Sequence, residues 1–378
     1  MMSRRHLLDS GLRDRLSGED KQQILEANGN PKYWLEFIVL YLKQSPTDKE
    51  VVDTYGKESI KAYRLAEKTF ANCHRGCGNP TIAHTQDTAY RLRLSIGQDQ
   101  RYMQAALLHD VVEDKSKSFQ DLERGLEYIV EEFGEDTARD VDMLTNTFSV
   151  LAKGIEKRTD LEHERNAMTV KRVIHDTLDR MEEETKEQGI YGKYQNYFNQ
   201  FRQMIRETKA EEWTMLKQRF ETFTLYDFLK FRSYDLYLEE IKRETIERAE
   251  KGDEYYAVPL LVKLSDSIDN IRTTSPLDRR RMDKLIVKTE SRIKLTGEIV
   301  EELKSKGHEN TELENRCKQL KAEYVHFLKQ SINVSSALPD SRWQTLRTHI
   351  KKQYGHALKT YYQGKLPPIP EEDLSAGL

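Results

Sequence analysis

Residues 105–114, AALLHDVVED, put one imidazole and three carboxylates into an apolar helical run. Ionised side chains in such surroundings are costly unless a partner compensates them. Either His109, Asp110, Glu113 and Asp114 turn to solvent, or something positive sits among them. On one helix His109–Glu113 and Asp110–Asp114 are i,i+4 pairs, so the four polar groups converge on one strip. Ala105, Leu108, Val111 and Val112 are left to face a core. A second strip lies in VKLSDSIDNIRTT, where Asp266, Asp269, Asn270 and Thr273 follow i, i+3, i+4 and i+7, with Arg272 beside them. Leu264, Ile268 and Ile271 take the buried side. His84, at or near a helix start, is a third contributor. Imidazole nitrogen with carboxylate oxygen suits a first-row divalent ion such as Mn, Fe or Zn better than Ca or Mg.

The elements that must carry these residues read as helices throughout. Residues 31–70 form two, PKYWLEFIVLYLKQ with Pro31 suited to a first turn, then DKEVVDTYGKESIKAYRLAEKTFANC. The loop HRGCGNP follows at 74–80, then a helix from Thr81 or His84 to about Ser95. DQRYMQAALLHDVVED reads as one helix. SFQDLERGLEYIVEEFG has an N-cap in Ser118 and a stop in Gly134, and EDTARDVDMLTN continues the pattern. From about 155 to 250 runs a long polar helical tract. Residues 279–334 read as a helical hairpin broken near KGHENTE. In its second arm Leu313, Cys317, Leu320, Tyr324 and Phe327 step by four and three, a short a/d seam. LPPIPEEDLSAGL is expected as a disordered or surface-lying tail.

Composition removes several classes. Of 378 residues 33% are charged and 37% hydrophobic, with a formal charge of −3 and mean hydropathy −0.79. That excludes a globally basic nucleic-acid binder, so no DNA or RNA partner is expected, though a local basic pocket remains open. No apolar run approaches the roughly 20 residues that span a bilayer, so no membrane partner is expected either. The N-terminus lacks the apolar region of a secretory signal. Cys73, Cys77 and Cys317 give no disulfide framework, and a cytoplasmic setting is the expectation.

His84, His109-Asp110 and Asp266 together resemble the metal signature of HD-domain phosphohydrolases. The likeness is closest to the hydrolase domain of RelA/SpoT-type proteins, which degrade the alarmone (p)ppGpp. RGCGNPTIAH resembles the family's R-K-S-G-E-P-Y-I-I-H, AALLHDVVED is nearly unchanged, and VKLSDSIDNIRTT resembles K-L-A-D-R-L-H-N-M-R-T. The resemblance covers roughly 55–150 and 250–275. It implies an all-α HD-domain helical bundle holding one Mn ion, with Fe, Co or Zn as substitutes, on His84, His109, Asp110 and Asp266. It further implies Glu113 and Asp114 as the catalytic acid pair, and Arg75, Asn270 and Thr273 as nucleotide contacts. The implied reaction releases pyrophosphate from the 3′ position of the nucleotide.

This chain departs from the pattern at Gly76, where the family has lysine, and at Cys77 and Thr81, where it has serine and tyrosine. The expected organisation is an N-terminal helical segment at 1–54 and an HD core at 55–154 and 246–278. A helical insertion occupies 155–245, and a C-terminal helical extension with its tail occupies 279–378. A hydrolase of another nucleotide is one alternative. A binding protein or effector acting through the inserted helices is the other, with a protein partner or self-association through 155–245 or 279–334. Ordinary readings compete at individual positions. Asn270 could simply brace its helix, the cysteines of CHRGC invite only a weak zinc reading, and Arg279-Arg280-Arg281 reads as a solvated face.

Overall fold

The computed structural model describes residues 47–71, 73, 81–159, 167–209, 211–212, 225–274, 279–336 and 342–368. The protein is all-α: every regular element among them is helical, and none is long and apolar enough to cross a membrane. Arg75, Gly76, Cys77, His163, the helix expected at 31–44 and the tail beyond 368 lie outside the described residues. The chain divides into two compact units, 1–107 with 260–378, and 108–259.

The first unit begins with α1 (Asp48–Tyr55), opened by a capping box. Thr47 accepts the Glu50 N–H at 3.3 Å, and the Glu50 carboxylate accepts the Thr47 N–H at 2.9 Å. The single helix expected over this stretch is interrupted at Gly56, whose φ of 89° no helix accommodates. There the glycine N–H closes on Val52 O and one 3-10 turn, Lys57–Ser59, leads into α2 (Ile60–Thr69). Next come α3 (Thr81–Ile96) and α4 (Gln100–Leu108).

The second unit takes α5 (Val111–Lys115), α6 (Phe119–Phe133), α7 (Glu135–Leu144), α8 (Thr147–Arg158), α9 (Ala167–Glu187), α10 (Tyr191–Glu207) and α11 (Leu225–Glu250). Ser118 caps α6 by accepting the Asp121 N–H at 3.1 Å. Gly134, at φ 87°, ends α6. The polar tract is amphipathic rather than solvated on all sides. Val170, Ile174, Leu178 and Met181 form a stripe on α9, and Tyr194, Phe198, Phe201 and Ile205 form one on α10, all buried. Each such side chain contributes about 1.5–3 kcal/mol when fully buried. α8 packs on α9, α10 and α11. It lets α9 approach closely at Gly154, where a Cβ would collide with the end of the Met181 side chain. Phe119 and Phe148 receive the rings of Tyr194, Phe198 and Tyr197.

The first unit resumes within α12 (Val258–Thr273) and continues through α13 (Arg279–Ser305), α14 (Thr311–Ser336) and α15 (Arg342–Tyr362). The expected hairpin is α13 and α14, turning at Gly307, φ 81°. All five seam residues of α14 are buried, and α14 packs on both α13 and α15, so the seam serves the chain's own packing. α15 lies within the expected C-terminal helical extension, where no separate helix was singled out. Its signal was Ile350, Tyr354, Ala357 and Tyr361 at i, i+4, i+7 and i+11, with Ile350 and Ala357 fully buried. Arg316, 2% exposed, anchors α14 to α3 by donating to Arg91 O at 3.0 Å and Ser95 Oγ at 2.6 Å.

Candidate functional site

The single helix expected through AALLHDVVED is corrected by the structure. α4 stops at Leu108, His109 and Asp110 form a turn, and α5 starts at Val111. Asp110 sits at φ −100°, ψ −6°, the bridge region. That shift redirects its side chain, which meets His109 Nε2 at 3.2 Å instead of capping α5. The backbone still closes Asp114 N–H on Asp110 O at 3.0 Å, but the two i,i+4 rows do not share one helix.

In the second unit Glu113 is held from several sides. Its Oε2 accepts the backbone N–H of Asn146, which caps α8, at 3.1 Å. Its Oε1 meets Lys230 Nζ of α11 at 3.3 Å, while Lys153 Nζ of α8 donates to its carbonyl at 3.2 Å. Burial opposes the charge on Lys230, but Glu113 and Tyr226 outweigh it and raise the ammonium above its usual range. Burial lowers Lys153, with Glu113 opposing. Asp114 is pushed up to about 6, first by desolvation and then by the neighbouring carboxylates of Asp110 and Glu113. The pair is thus differentiated: Glu113 is ion-paired, while Asp114 is shifted toward holding a proton near neutrality.

In the first unit His84 on α3 and Asp266 on α12 are both buried, with His84 Nε2 3.1 Å from Asp266 Oδ1. His84 Nδ1 meets the carboxylate of Asp269 in a short contact. This is how metal-ligating histidines are oriented: a carboxylate fixes one ring nitrogen and leaves the other for the ion. Burial would raise the Asp266 carboxyl. Arg292 of α13 and the His84 hydrogen bond overcome it and hold the group well below the carboxylate range. Arg292 Nη1 lies 2.9 Å from Asp266 Oδ2 and 3.1 Å from the Lys263 carbonyl.

The four residues of the second strip fall on one helix as expected, but both sides of α12 are buried. Asp266, Asp269 and Thr273 are as enclosed as Leu264, Ile268 and Ile271. Asn270, half-buried, donates from Nδ2 to the Asp266 carbonyl at 2.8 Å and to its carboxylate. Thr273 donates to Asp269 O at 2.8 Å. Of the metal candidates, His84 and Asp266 lie together in the first unit, and His109 and Asp110 lie together in the second. An imidazole with an ionised carboxylate is a donor pair that suits a first-row divalent ion.

No protein-family model, curated protein or solved structure matches the chain.

The sequence reading assigned no role to Arg292, Lys153 or Lys230. Their signal was weak: Arg292 and Lys230 lie 26 and 117 residues from the carboxylates they meet, at separations no helical period encodes. Asp269 was visible within the strip but not as the partner of His84.

Proposed function

We propose that this chain is a metal-dependent phosphohydrolase of the HD type, with a nucleotide pyrophosphate ester as substrate and (p)ppGpp as the first candidate. The observation that carries this reading is the buried pair His84 and Asp266, with Asp269 orienting His84. His109 and the adjacent Asp110 are the other two ligands in this reading. Manganese is the ion of first choice, with Fe, Co or Zn as substitutes. When bound, the ion would lower the pKa of a water and offset charge on the pyrophosphate. Glu113 orients the water and Asp114 exchanges a proton with it. Lys153 and Lys230 keep Glu113 in place. The departures at Gly76, Cys77 and Thr81 favour a second reading, the same chemistry on another nucleotide.

The test is incubation of Mn-loaded protein with ppGpp, with products resolved by anion exchange beside Asp110→Ala. GDP and pyrophosphate from the wild type alone are expected. Intact ppGpp in both, with Mn bound, rejects the alarmone, and a broad phosphoester panel then tests the second reading. No turnover on that panel rejects the hydrolase.

A further inference from the structure

We infer that Arg292 determines which ion the His84–Asp266 pair accepts: by bonding Asp266 Oδ2 it leaves Oδ1 as the carboxylate oxygen open to an ion, and so favours a first-row divalent ion over calcium. The inference rests on the metal reading of that pair and not on the identity of the substrate. The partners of the Asp266 carboxylate divide by oxygen. Oδ1 faces His84 Nε2 at 3.1 Å and accepts the side-chain amide of Asn270. Oδ2 accepts from Arg292 Nη1 at 2.9 Å. The arginine is clamped along one turn of α12. The same nitrogen donates to Lys263 O at 3.1 Å and to Ser267 Oγ, and Ser267 donates onward to Lys263 O at 2.7 Å. Lys263, Asp266 and Ser267 share one face of the helix, and all three are buried with Arg292. The guanidinium is therefore part of the packed interior of the first unit.

How many oxygens a carboxylate can offer separates the ions. Calcium takes about six to eight oxygens and often grips a carboxylate through both of its own. First-row ions accept an imidazole nitrogen beside a single carboxylate oxygen. A cation held by both oxygens of Asp266 would share Oδ2 with a guanidinium, cation against cation, where burial leaves little solvent to screen them. A cation held through Oδ1 lies farther from that charge and leaves the Arg292 bond intact. Asn270 uses one lone pair of Oδ1, and a carboxylate oxygen has a second. Arginine suits the task because its guanidinium is always charged. α13 lies beyond the segments that carry the resemblance, which makes Arg292 a feature of this chain.

The experiment is calorimetric titration of manganese chloride and, separately, calcium chloride into chelator-treated, dialysed full-length protein. Wild type is compared with Arg292→Gln, which keeps a donor for Asp266 without the charge, with Arg292→Lys, which keeps the charge, and with Asp266→Asn. Each is checked by thermal melting. Wild type is expected to prefer Mn. In Arg292→Gln the ratio of Mn to Ca affinity falls at least about tenfold, and Arg292→Lys restores it. A loosened fold weakens both ions alike, so the ratio separates selection from a structural role. In wild type alone, Mn is expected to move the two infrared carboxylate stretches apart, the sign of binding through one oxygen; stretches that move together overturn the inference. An unchanged ratio in a folded Arg292→Gln protein, or an equal fall in Arg292→Lys, overturns it and retains the metal pair. No saturable Mn binding to wild type, or undiminished binding in Asp266→Asn, overturns the inference and the metal reading together. Turnover of ppGpp and of the phosphoester panel is measured separately. Arginine-dependent selection without turnover retains the inference and rejects the hydrolase.

Discussion

Lys230 meets Glu113 across 117 residues of sequence, its Nζ 3.3 Å from Oε1. The cation comes from α11, at the end of the long polar tract, and the carboxylate from α5. The tract therefore reaches into the group of residues that the proposed chemistry uses. Lys230→Met leaves a half-buried carboxylate one cation short. We expect a stability loss of about 2 kcal/mol and, if Glu113 orients the attacking water, a fall in kcat of at least about tenfold with little change in KM. Lys230→Arg restores both. Denaturant melts and steady-state kinetics on the same preparations check this, and a kcat unmoved by Lys230→Met would remove the lysine from the chemistry.

Metal binding separates the roles of Asp266 and Asp269. Saturating Mn at about a hundred times its Kd stabilises a folded protein by about 2.7 kcal/mol, read as a rise in melting temperature. Asp266→Asn is expected to abolish that rise, since Asp266 is a ligand in the proposed reading. Asp269→Asn weakens Mn affinity about 10–100-fold by freeing the His84 ring, so its rise returns at higher Mn. Equal Mn responses in all three proteins would exclude both assignments.

Asp114 supplies a pH prediction with a definite sign. Its carboxyl is raised from the ordinary 3.8 to about 6, so folding favours the protonated form. Its contribution to stability is present below about pH 4 and is lost as pH rises through about 6. The residue is exposed, so salt screens the repulsion from Asp110 and Glu113 and lowers the value. In the metal-free protein, carbon NMR of labelled aspartate is expected to show Asp114 titrating above the normal range. Glu113→Gln moves it down, since one like charge is gone. An ordinary titration, or an upward move in that variant, contradicts the assignment.

Arg248 on α11 is buried between Asp140, at 2.8 Å, and Asp253, at 2.7 Å. Arg248→Met takes the guanidinium away from both carboxylates, and Asp140→Asn leaves the arginine with Asp253. The first is expected to cost about 3–5 kcal/mol, a melting shift on the order of 10 °C, and the second clearly less. Thermal melts at neutral pH decide the order; equal losses would mean that Asp253 carries none of the charge.

The sequence made local features plain and left distant partnerships dark. Ser118, Gly134, the α13–α14 hairpin and the seam from Leu313 to Phe327 follow from caps and helical periods, which act within a few residues. AALLHDVVED misled at one point because its apolar period runs unbroken through His109. Only the backbone turn at Asp110, which composition does not announce, divides it. The polar tract read as helical, but its charged face outnumbers and hides its apolar stripe, in which Ile174, Leu178, Phe198 and Phe201 are fully buried. Arg292, Lys153 and Lys230 were illegible for another reason. Their targets are chosen by packing, and an isolated basic residue in a charged chain carries no mark of its partner.

The contact of His84 with Asp269 joins residues 185 apart. A ribosome working at about 5–20 residues per second delivers the histidine roughly 10–40 s before its carboxylate. Throughout that interval the nascent chain holds an imidazole with no orienting partner, while all of α5 to α11 is being made. The His84–Asp269 pair therefore forms only after the intervening helices have been synthesised. A chain truncated anywhere before α12 carries the histidine without the means to aim it.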